Sequence, residues 1–168
     1  MDKAVFLDRD GVINDNQKHV NKPEDLVLYS WTRTSIRCLN QAGYKVFVVT
    51  NQGGIEMGYF TEADLNAIHS HLSKLLLEED AVIDEYSYCP HFSSPCKCRK
   101  PKPGLITTLA KKHQLDLKNS WMIGDRTSDI QAGVAAGCKT IKIGDTEPLA
   151  DFNCKNLQEA VNFILSNC

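Results

Sequence analysis

The sequence predicts an α/β fold of the Rossmann-like three-layer type, with one parallel sheet between two layers of helices. Its 168 residues are typical of one domain with one continuous core. Short, β-prone apolar runs alternate with segments of helical periodicity, as in a parallel sheet covered on both faces. Hydrophobic residues make up 42% and charged residues 24% of the chain, values typical of globular proteins. We therefore predict a single domain over residues 1–168.

The first half of the chain predicts three strands and two helices. An apolar run at 4–7 leads into a turn and predicts a buried strand. The segment 31–42 has its apolar residues on one side and is followed by glycine, so it predicts a helix. A second buried strand is predicted at 45–50. A capping-box pattern and leucines spaced by three and four predict a helix over 61–79, and 82–88 predicts a third strand.

The second half predicts three helices and two further strands. The helices are expected at 103–113, 128–136 and 156–165. A proline marks the start of the first of these helices, and a glycine follows the second. Strands are predicted at 121–125, which ends in an acid, and at 139–143. The segment 145–154 has the least pattern and is predicted to be only a connecting loop.

Charge and hydropathy exclude several classes of partner. The chain has 19 Lys and Arg residues against 21 Asp and Glu residues, so it lacks the positive field that non-specific nucleic-acid binding needs. No apolar run approaches the roughly 20 residues that cross a bilayer, and Asp8 and Asp10 interrupt the N-terminal stretch where a signal peptide would stay apolar. We predict no nucleic-acid partner, no membrane association and a cytoplasmic location. The sequence leaves the oligomeric state open, with a monomer favoured.

Acidic residues follow two of the predicted strands, at the edge of the sheet where ligands bind. Asp8 and Asp10 follow the first strand and are two residues apart, so both side chains point to one side if the backbone stays extended. Asp125 ends the strand at 121–125. Neighbouring carboxylates repel unless a metal or a proton separates them, and three acids suit Mg²⁺ with water and a phosphate oxygen. For the isolated pair, an ordinary turn around Asp10 and Gly11 is the alternative.

Four segments resemble, in order, the four motifs of the haloacid dehalogenase (HAD) superfamily of phosphohydrolases. They are F-L-D-R-D-G-V at 6–12, V-T-N-Q at 49–52, R-K-P-K-P-G at 99–104 and I-G-D-R-T-S-D at 123–129. The resemblance covers nearly the whole chain. It implies that Asp8 is a nucleophile that forms an aspartyl-phosphate, while Asp10 protonates the leaving alcohol and later deprotonates water. Thr50 and Lys100 would stabilise the transferred phosphoryl group.

The same resemblance implies how the Mg²⁺ ion is held. Its ligands would be the side chain of Asp8, the backbone carbonyl of Asp10 and the side chain of Asp125. Asp129 would contact the water shell of the ion, and the alternative for it is an acid in the first turn of a helix, stabilised by the helix dipole. For Thr50 the alternative is a hydroxyl that only ends a strand.

A cluster of cysteines predicts a second metal site. Of the seven cysteines, Cys89, Cys96 and Cys98 lie within ten residues together with His91, in the pattern C-x-H-x4-C-x-C. Three thiolates and one imidazole are a complete tetrahedral Zn²⁺ set. Because the protein supplies all four ligands, we predict a structural zinc loop at 89–98. The alternative is a group of buried free thiols with a hydrogen-bonded histidine.

The predicted zinc loop leads directly into a run of cations. Lys97, Arg99, Lys100 and Lys102 place four positive charges in six residues. Such a run is commonly a solvated face or a weak nucleic-acid patch. Beside an acidic site and a metal, it predicts a surface that recognises phosphate.

A short zinc loop joined to C-R-K-P is similar to two phosphatase families of the superfamily that are capless or nearly so. One acts on heptose 1,7-bisphosphate and the other on histidinol phosphate. The segments 50–55, 58–62 and 100–104 resemble the heptose enzymes more closely, and the histidinol-phosphate enzymes are the alternative. The resemblance implies that substrate is bound by Asn16, Gln17, Lys18, His19, Asn51, Gln52, Gly53, Arg99 and Arg126. Lys18, Lys22 and Lys102 would help Arg99 to hold a second phosphate.

Two readings from other classes remain as alternatives. A phospho-acceptor signalling module also places acids, a threonine and a lysine around Mg²⁺. Here the acceptor Asp8 follows the first strand and has a second acid two residues later, an arrangement suited to turnover rather than to storage of phosphate. A zinc-dependent binding module without catalysis would leave Asp8, Asp10 and Asp125 unexplained.

Overall fold

The computed structural model describes residues 1–166, and the last two residues of the predicted domain, 167 and 168, lie outside them. The strands are β1 (Ala4–Leu7), β2 (Lys45–Asn51), β3 (Glu85–Cys89), β4 (Trp121–Gly124), β5 (Lys139–Ile143) and β6 (Phe152–Cys154). The helices are α1 (Thr32–Gln41), α2 (Glu62–Leu77), α3 (Gly104–His113), α4 (Thr127–Ala136) and α5 (Leu157–Ser166). Within 1–166, no helix is both long and apolar enough to cross a membrane.

The six strands form one sheet in the order β3-β2-β1-β4-β5-β6, and every pair is parallel. The parallel sheet predicted from the alternating pattern is therefore confirmed. Leu7 at the end of β1 is in register with Val48 of β2 and Ile123 of β4. The strand order reverses at β1, so the residues after β1, β2 and β4 meet at the switch point where ligands bind in such sheets.

Two apolar layers bury the sheet on both faces. Val5 and Leu7 of β1 pack with the layer that includes Ile36 of α1, whereas Phe6 packs with Phe47 in the layer on the other face. All four β1 residues are buried. A strand buried on both faces has a continuous apolar sequence, which is why 4–7 could be predicted without alternation.

The segment 145–154, predicted to be only a connecting loop, contains the sixth strand. Phe152–Cys154 pairs with β5, and Phe152 stacks on Phe163 with ring centroids 3.9 Å apart. Asp151 also accepts a hydrogen bond from the backbone N–H of Thr140 at 2.8 Å. Three half-buried residues are too few to show a period, so the strand depends on contacts that local sequence does not reveal.

The third strand begins later than predicted, at Glu85 rather than at residue 82. Side-chain hydrogen bonds hold residues 82–84, which precede the strand. Asn40 of α1 exchanges two hydrogen bonds with the backbone of Val82, and the Asp84 carboxylate accepts from the backbone N–H of Val46 at 2.7 Å. At its other end, β3 leads straight into the predicted zinc loop.

Candidate active site

A cleft of about 580 Å³ opens at the carboxyl ends of β1 and β2. The predicted site residues that line it are Asp8, Asp10, Asn16, Lys18, His19, Thr50, Asn51, Gln52, Gly53, Arg99, Lys100, Arg126 and Asp129. Gln17, Lys22, Lys102 and Asp125 are not among the lining residues. Gln17 is exposed and its backbone N–H donates to the Asp15 carboxylate at 2.7 Å. The Lys102 ammonium donates to the carbonyl of Cys96, away from the cleft.

Three carboxylates meet beside the cleft, and two of them, Asp8 and Asp129, line it. Asp8, Asp125 and Asp129 each offer one oxygen, and these oxygens all lie within 4.8 Å of one another. Burial raises the pKa of Asp8 and of Asp125, and the negative charge of Asp129 raises both further. Oδ1 of Asp125 is buried without a hydrogen-bond partner. Carboxylate oxygens are the ligands that Mg²⁺ prefers, and a cation here would satisfy that unpaired oxygen, so the donor set fits the ion.

The carboxylate of Asp10 is not part of this cluster, which corrects the prediction from its spacing with Asp8. The backbone does not stay extended after Asp8. The N–H of Ile13 donates to the Arg9 carbonyl at 2.8 Å and the N–H of Gly11 donates to the Asn14 carbonyl at 2.8 Å, so the chain turns. The turn directs the Asp10 side chain towards Arg9, Asn14 and Gln52. Asp129 takes its place as the third carboxylate of the acidic cluster.

Two glycines allow the acids to approach. A Cβ atom on Gly11, which has a φ of +87°, would lie 2.1 Å from Oδ2 of Asp125. A Cβ atom on Gly124 would lie 2.2 Å from the Cβ of Asp129. Neither position has room for a side chain, so the spacing of the carboxylates requires glycine at both.

Lys100 supplies a buried positive charge to this cluster. Its ammonium, on a residue only 4% exposed, lies 3.0 Å from Oδ1 of Asp8 and 2.7 Å from Oδ1 of Asp129. Burial alone would lower the pKa of Lys100, but the attraction of the two carboxylates outweighs it and raises the pKa. The Asn51 amide fixes the backbone of Lys100 by donating to its carbonyl and accepting from its N–H.

The carboxylate of Asp10 is held by a set of hydrogen-bond donors. Arg9 donates through Nε and Nη2, Asn14 donates to Oδ1 at 3.0 Å, and Gln52 donates to Oδ2 at 3.3 Å. Burial raises the pKa of Asp10, but the positive charge of Arg9 and these hydrogen bonds outweigh burial and lower the pKa overall. Gln52 also donates to Oγ1 of Thr50 at 2.9 Å, which leaves the hydroxyl proton of Thr50 available to a phosphoryl oxygen.

The four predicted zinc ligands lie together at the end of β3. One ligand atom from each of Cys89, His91, Cys96 and Cys98 lies within 4.8 Å of the others. Sγ of Cys89 is 3.7 Å from Sγ of Cys96, and Nδ1 of His91 is 3.3 Å from Sγ of Cys89. Zn–S bonds of about 2.3 Å place two sulfurs of a tetrahedral site about 3.8 Å apart, which matches the Cys89–Cys96 distance. Sγ of Cys98 lies only 2.8 Å from Sγ of Cys89, so these two sulfurs would separate when the ion binds. Three sulfurs and one ring nitrogen are donors that suit Zn²⁺.

The loop that carries these ligands contacts the cleft directly. Nη1 of Arg99 donates to the carbonyl of His91 at 2.8 Å, and its guanidinium lies over the Phe92 ring, 5.4 Å from the ring centroid. Glu56, from the segment after β2, accepts hydrogen bonds from the backbone N–H groups of Ser93 and Ser94 at 2.8 and 3.2 Å. The bond from the Ser93 backbone is the main reason why the pKa of Glu56 falls to about 2.

Comparison with known proteins places the chain in a family. Residues 97–150 match a family model described as HAD-hydrolase-like. A D-glycero-alpha-D-manno-heptose-1,7-bisphosphate 7-phosphatase of Campylobacter jejuni is 40% identical over 164 residues, which cover 96% of this chain and 95% of that protein. The chain belongs to the heptose-1,7-bisphosphate 7-phosphatase family of the HAD superfamily. A D-glycero-beta-D-manno-heptose-1,7-bisphosphate 7-phosphatase of Helicobacter pylori is 39% identical over 168 residues and covers 96% of this chain and 97% of that protein.

A solved member of the family has the same fold throughout. The D,D-heptose 1,7-bisphosphate phosphatase of B. bronchiseptica, complexed with magnesium and phosphate, superposes with a TM-score of 0.91 at 31% identity and covers 99% of both chains. The superfamily and the phosphatase class predicted from the four motifs are confirmed. Our chain, which belongs to this family, is therefore a phosphoric monoester hydrolase.

Sequence reasoning missed several residues at or beside the site, and Arg9, Phe92 and Glu56 are three that make defined contacts there. Arg9 was interpreted only as part of the first motif. A cation between two acids, in a segment that is otherwise apolar, could have suggested that it pairs with one of them. Phe92 lines the cleft from the zinc loop, and an aromatic residue flanked by ligands could have suggested this. No local pattern indicated that Glu56 holds the tip of that loop.

A buried histidine behind Arg9 predicts a pH dependence of stability. Burial, and next the charge of Arg9, lower the pKa of His69 to about 3. The unfolded chain takes up this proton near pH 6.5 and the folded protein only near pH 3, so the stability associated with His69 is complete above about pH 6.5 and decreases towards pH 3. We expect His69→Phe to lower the slope of unfolding free energy against pH by up to about 1.4 kcal/mol per pH unit in this window.

Denaturant unfolding at a series of pH values measures that slope. Wild type and His69→Phe are compared between pH 4 and 8 on the same probe. Identical slopes below pH 6 in both proteins would contradict the assignment of a low pKa to His69.

Proposed function

We propose that this chain removes the 7-phosphate of D-glycero-D-manno-heptose 1,7-bisphosphate. The observation that carries the proposal is the buried contact between Asp8 and Lys100, at 3.0 Å, on the floor of a cleft with Arg99 and Arg126 at its edge. The floor suits a phosphoryl group in transfer, and the basic edge suits the second phosphate. The names of the similar Campylobacter and Helicobacter proteins support this choice of substrate.

The proposal includes Mg²⁺, held by the carboxylates of Asp8 and Asp125 and the backbone carbonyl of Asp10. Asp129 lies beside them and would contact the water shell of the ion. The bound magnesium and phosphate of the B. bronchiseptica enzyme support the choice of ion. When bound, Mg²⁺ supplies positive charge to the phosphoryl oxygens.

In the first step, a carboxylate oxygen of Asp8 attacks phosphorus and the bond between phosphorus and the 7-oxygen of the sugar breaks. Asp10 must carry a proton at this stage, although Arg9 and its other hydrogen-bond donors lower its pKa in the free protein, and it gives that proton to the leaving oxygen. The Lys100 ammonium and the Thr50 hydroxyl stabilise the negative charge that spreads over the equatorial oxygens. The product of this step is an aspartyl-phosphate on Asp8.

In the second step, water replaces Asp8 on phosphorus. Asp10 is now ionised and removes a proton from the attacking water, so it ends the cycle protonated as it began. Inorganic phosphate leaves and the Asp8 carboxylate is restored. Lys100 holds Oδ1 of Asp8 throughout, which fixes the direction from which this carboxylate approaches phosphorus.

Substrate choice follows from the charge at the edge of the cleft. A guanidinium binds phosphate through two parallel hydrogen bonds, and Arg99 is held in place by the His91 carbonyl and the Phe92 ring. Histidinol phosphate carries an amine, which a basic edge repels. We expect kcat/KM for heptose 1,7-bisphosphate to exceed that for histidinol phosphate by at least about tenfold, or about 1.4 kcal/mol.

Phosphate release from both substrates tests this expectation. Arg99→Ala should reduce the ratio mainly by lowering kcat/KM for the bisphosphate. Arg33→Ala is the matched control, because Arg33 pairs with Glu78 away from the cleft. Equal efficiency on the two substrates, or a preference for histidinol phosphate, would transfer the assignment to the histidinol-phosphate enzymes.

The proposal also includes one structural Zn²⁺ bound by Cys89, His91, Cys96 and Cys98. Thiolates prefer this softer ion to Mg²⁺, and a cytoplasmic location, also proposed, keeps them reduced. We expect one zinc per chain in the purified protein. Cys98→Ser should lose the zinc, raise KM and lower kcat, because the loop then no longer fixes the backbone of Arg99 and Lys100.

Elemental analysis and steady-state kinetics measure these effects together. Cys38→Ser is the matched control, since Cys38 lies in α1 and outside the four-residue cluster. Purified protein that contains no zinc, iron or other thiophilic metal would contradict the zinc site.

A further inference from the structure

Arg9 lies in the sequence between the two acids of the proposed mechanism, Asp8 and Asp10, and no step above uses its buried side chain. Arg9 borders the cleft, but its side chain is only 1% exposed, so almost none of its surface is open to substrate. Nε and Nη2 donate to Asp10 at 3.0 to 3.2 Å, and Nη1 lies 3.2 Å from Nε2 of His69. Because every nitrogen of the planar fork has a protein partner, Arg9 acts on the protein rather than on substrate.

The contacts of Asp10 distinguish its two oxygens. Oδ1 accepts hydrogen bonds from Nε and Nη2 of Arg9, at 3.1 and 3.0 Å, and from Asn14 at 3.0 Å. Oδ2 accepts longer ones, at 3.2 Å from Arg9 and at 3.3 Å from Gln52. Three close donors saturate Oδ1, so Oδ2 is the oxygen left to carry a proton. Gln52 also binds Thr50, which places Oδ2 beside the proposed phosphoryl stabiliser.

His69 holds the other end of Arg9. A guanidinium only donates hydrogen bonds, so Nε2 of His69 accepts and the imidazole is neutral. The His69 ring stacks on Tyr86 with ring centroids 4.4 Å apart and an interplanar angle of 13°. The Tyr86 hydroxyl is hydrogen-bonded to Oγ of Ser73 at 2.8 Å. Contacts from α2 and β3 therefore fix the position of Arg9.

We propose that Arg9, supported by His69, is the positioning residue that turns Asp10 so that Oδ2 faces the leaving oxygen of the substrate. The Asp10 side chain is 35% exposed to the cleft, and it follows a strand end rather than lying within one. A two-pronged contact sets the plane of the carboxyl group, which a single hydrogen bond would leave free to rotate. The inference rests on the proposed function, because it takes Asp10 as the acid and base of that reaction.

The test compares substrates whose leaving groups differ. For an enzyme with a covalent intermediate, kcat/KM covers the steps up to formation of the aspartyl-phosphate. In those steps a sugar alcohol must be protonated as it leaves, whereas nitrophenolate leaves without a proton. We expect Arg9→Met to lower kcat/KM for heptose 1,7-bisphosphate by at least about tenfold and that for p-nitrophenyl phosphate by less than about threefold. An equal loss on both substrates would overturn the inference.

A double variant separates this inference from the proposed function. In the Asp10→Asn background, Arg9→Met should lower kcat/KM for the sugar bisphosphate by less than about twofold more, because its effect passes through Asp10. A larger further loss would overturn the inference. If Asp10→Asn alone harms both substrates equally, the role of Asp10 in the proposed function fails. If Asp10→Asn separates the substrates and Arg9→Met does not, only the role of Arg9 fails.

If Arg9→Met does not fold, a second variant tests the positioning role of Arg9. His69→Phe retains an aromatic ring against Tyr86 and leaves Arg9 charged but without its anchor. We expect it also to lower kcat/KM more for heptose 1,7-bisphosphate than for p-nitrophenyl phosphate, by a smaller factor than Arg9→Met does. Arg33→Met is the matched control and should show none, since Arg33 contacts the Leu75 carbonyl and Glu78 outside the cleft. Equal losses on both substrates in folded His69→Phe would overturn the inference.

Discussion

Asp8→Asn is expected to abolish phosphate release while the protein stays folded. An amide of nearly the same size cannot attack phosphorus, so no aspartyl-phosphate forms and turnover falls by about 10⁴-fold or more. Stability without magnesium should not fall, because the substitution removes repulsion between Asp8 and its acidic neighbours Asp125 and Asp129. Lys100 keeps its contact with Asp129 at 2.7 Å.

Three measurements check this result. Phosphate release gives the turnover, thermal unfolding gives the stability, and mass spectrometry of quenched reactions detects phosphate on Asp8 in the wild type only. Asp80→Asn is the matched control, since Asp80 is exposed, follows α2, and has a φ of 58° that asparagine also tolerates. Normal turnover in Asp8→Asn would refute the covalent mechanism.

Lys100→Met is expected to lose both activity and stability. Phosphate release should fall by about 10²–10³-fold, as when a fixed donor to a transition-state oxygen is removed. Without Mg²⁺ the variant retains two buried carboxylates with no cation between them, and loss of one partner from a buried ion pair costs about 3–5 kcal/mol. The pKa of Lys100 is raised, so the wild type has this stabilisation in full at neutral pH and loses it only at strongly alkaline pH.

Added Mg²⁺ and added acid should both reduce this loss of stability. The ion supplies the missing positive charge. Burial, and next the charge of Asp129, raise the pKa of Asp8, so acid neutralises Asp8 and removes the repulsion between it and Asp129. Urea unfolding in magnesium-free buffer that retains zinc, repeated with Mg²⁺ and at lower pH, measures the effect. Lys112→Met is the control, because its pair with Glu85 is exposed and contributes about 0–1 kcal/mol. A loss in Lys100→Met no greater than in this control would contradict the buried role of Lys100.

The sequence predicted five of the six strands, and the residues that follow β1, β2 and β4, because both depend on local pattern. Asp8, Thr50 and Asp125 each follow a buried apolar run, and parallel strands bring their carboxyl ends together. The zinc cluster was equally accessible, since all four candidate ligands fall between Cys89 and Cys98 and the spacing itself suggests the geometry.

The sequence could not show contacts that depend on how distant segments pack. Arg9 and His69 are 60 residues apart, and nothing near either of them indicates the other. The displacement of the Asp10 carboxylate from the acidic cluster depends on the turn after Arg9, which begins where the apolar strand pattern ends. The short strand at Phe152–Cys154 forms because its backbone pairs with the outer edge of β5.

The close approach of Gly11 and Gly124 to the acids changes how sequences of this kind should be compared. Neither glycine supplies a functional group, yet a methyl group at either position would occupy the volume that the carboxylate of Asp125 or the side chain of Asp129 now fills. A related chain that keeps every acid but carries alanine at one of these positions would therefore be a poor candidate for the same chemistry. In a search for distant relatives, the absence of a side chain at positions 11 and 124 is as informative as the presence of the acids.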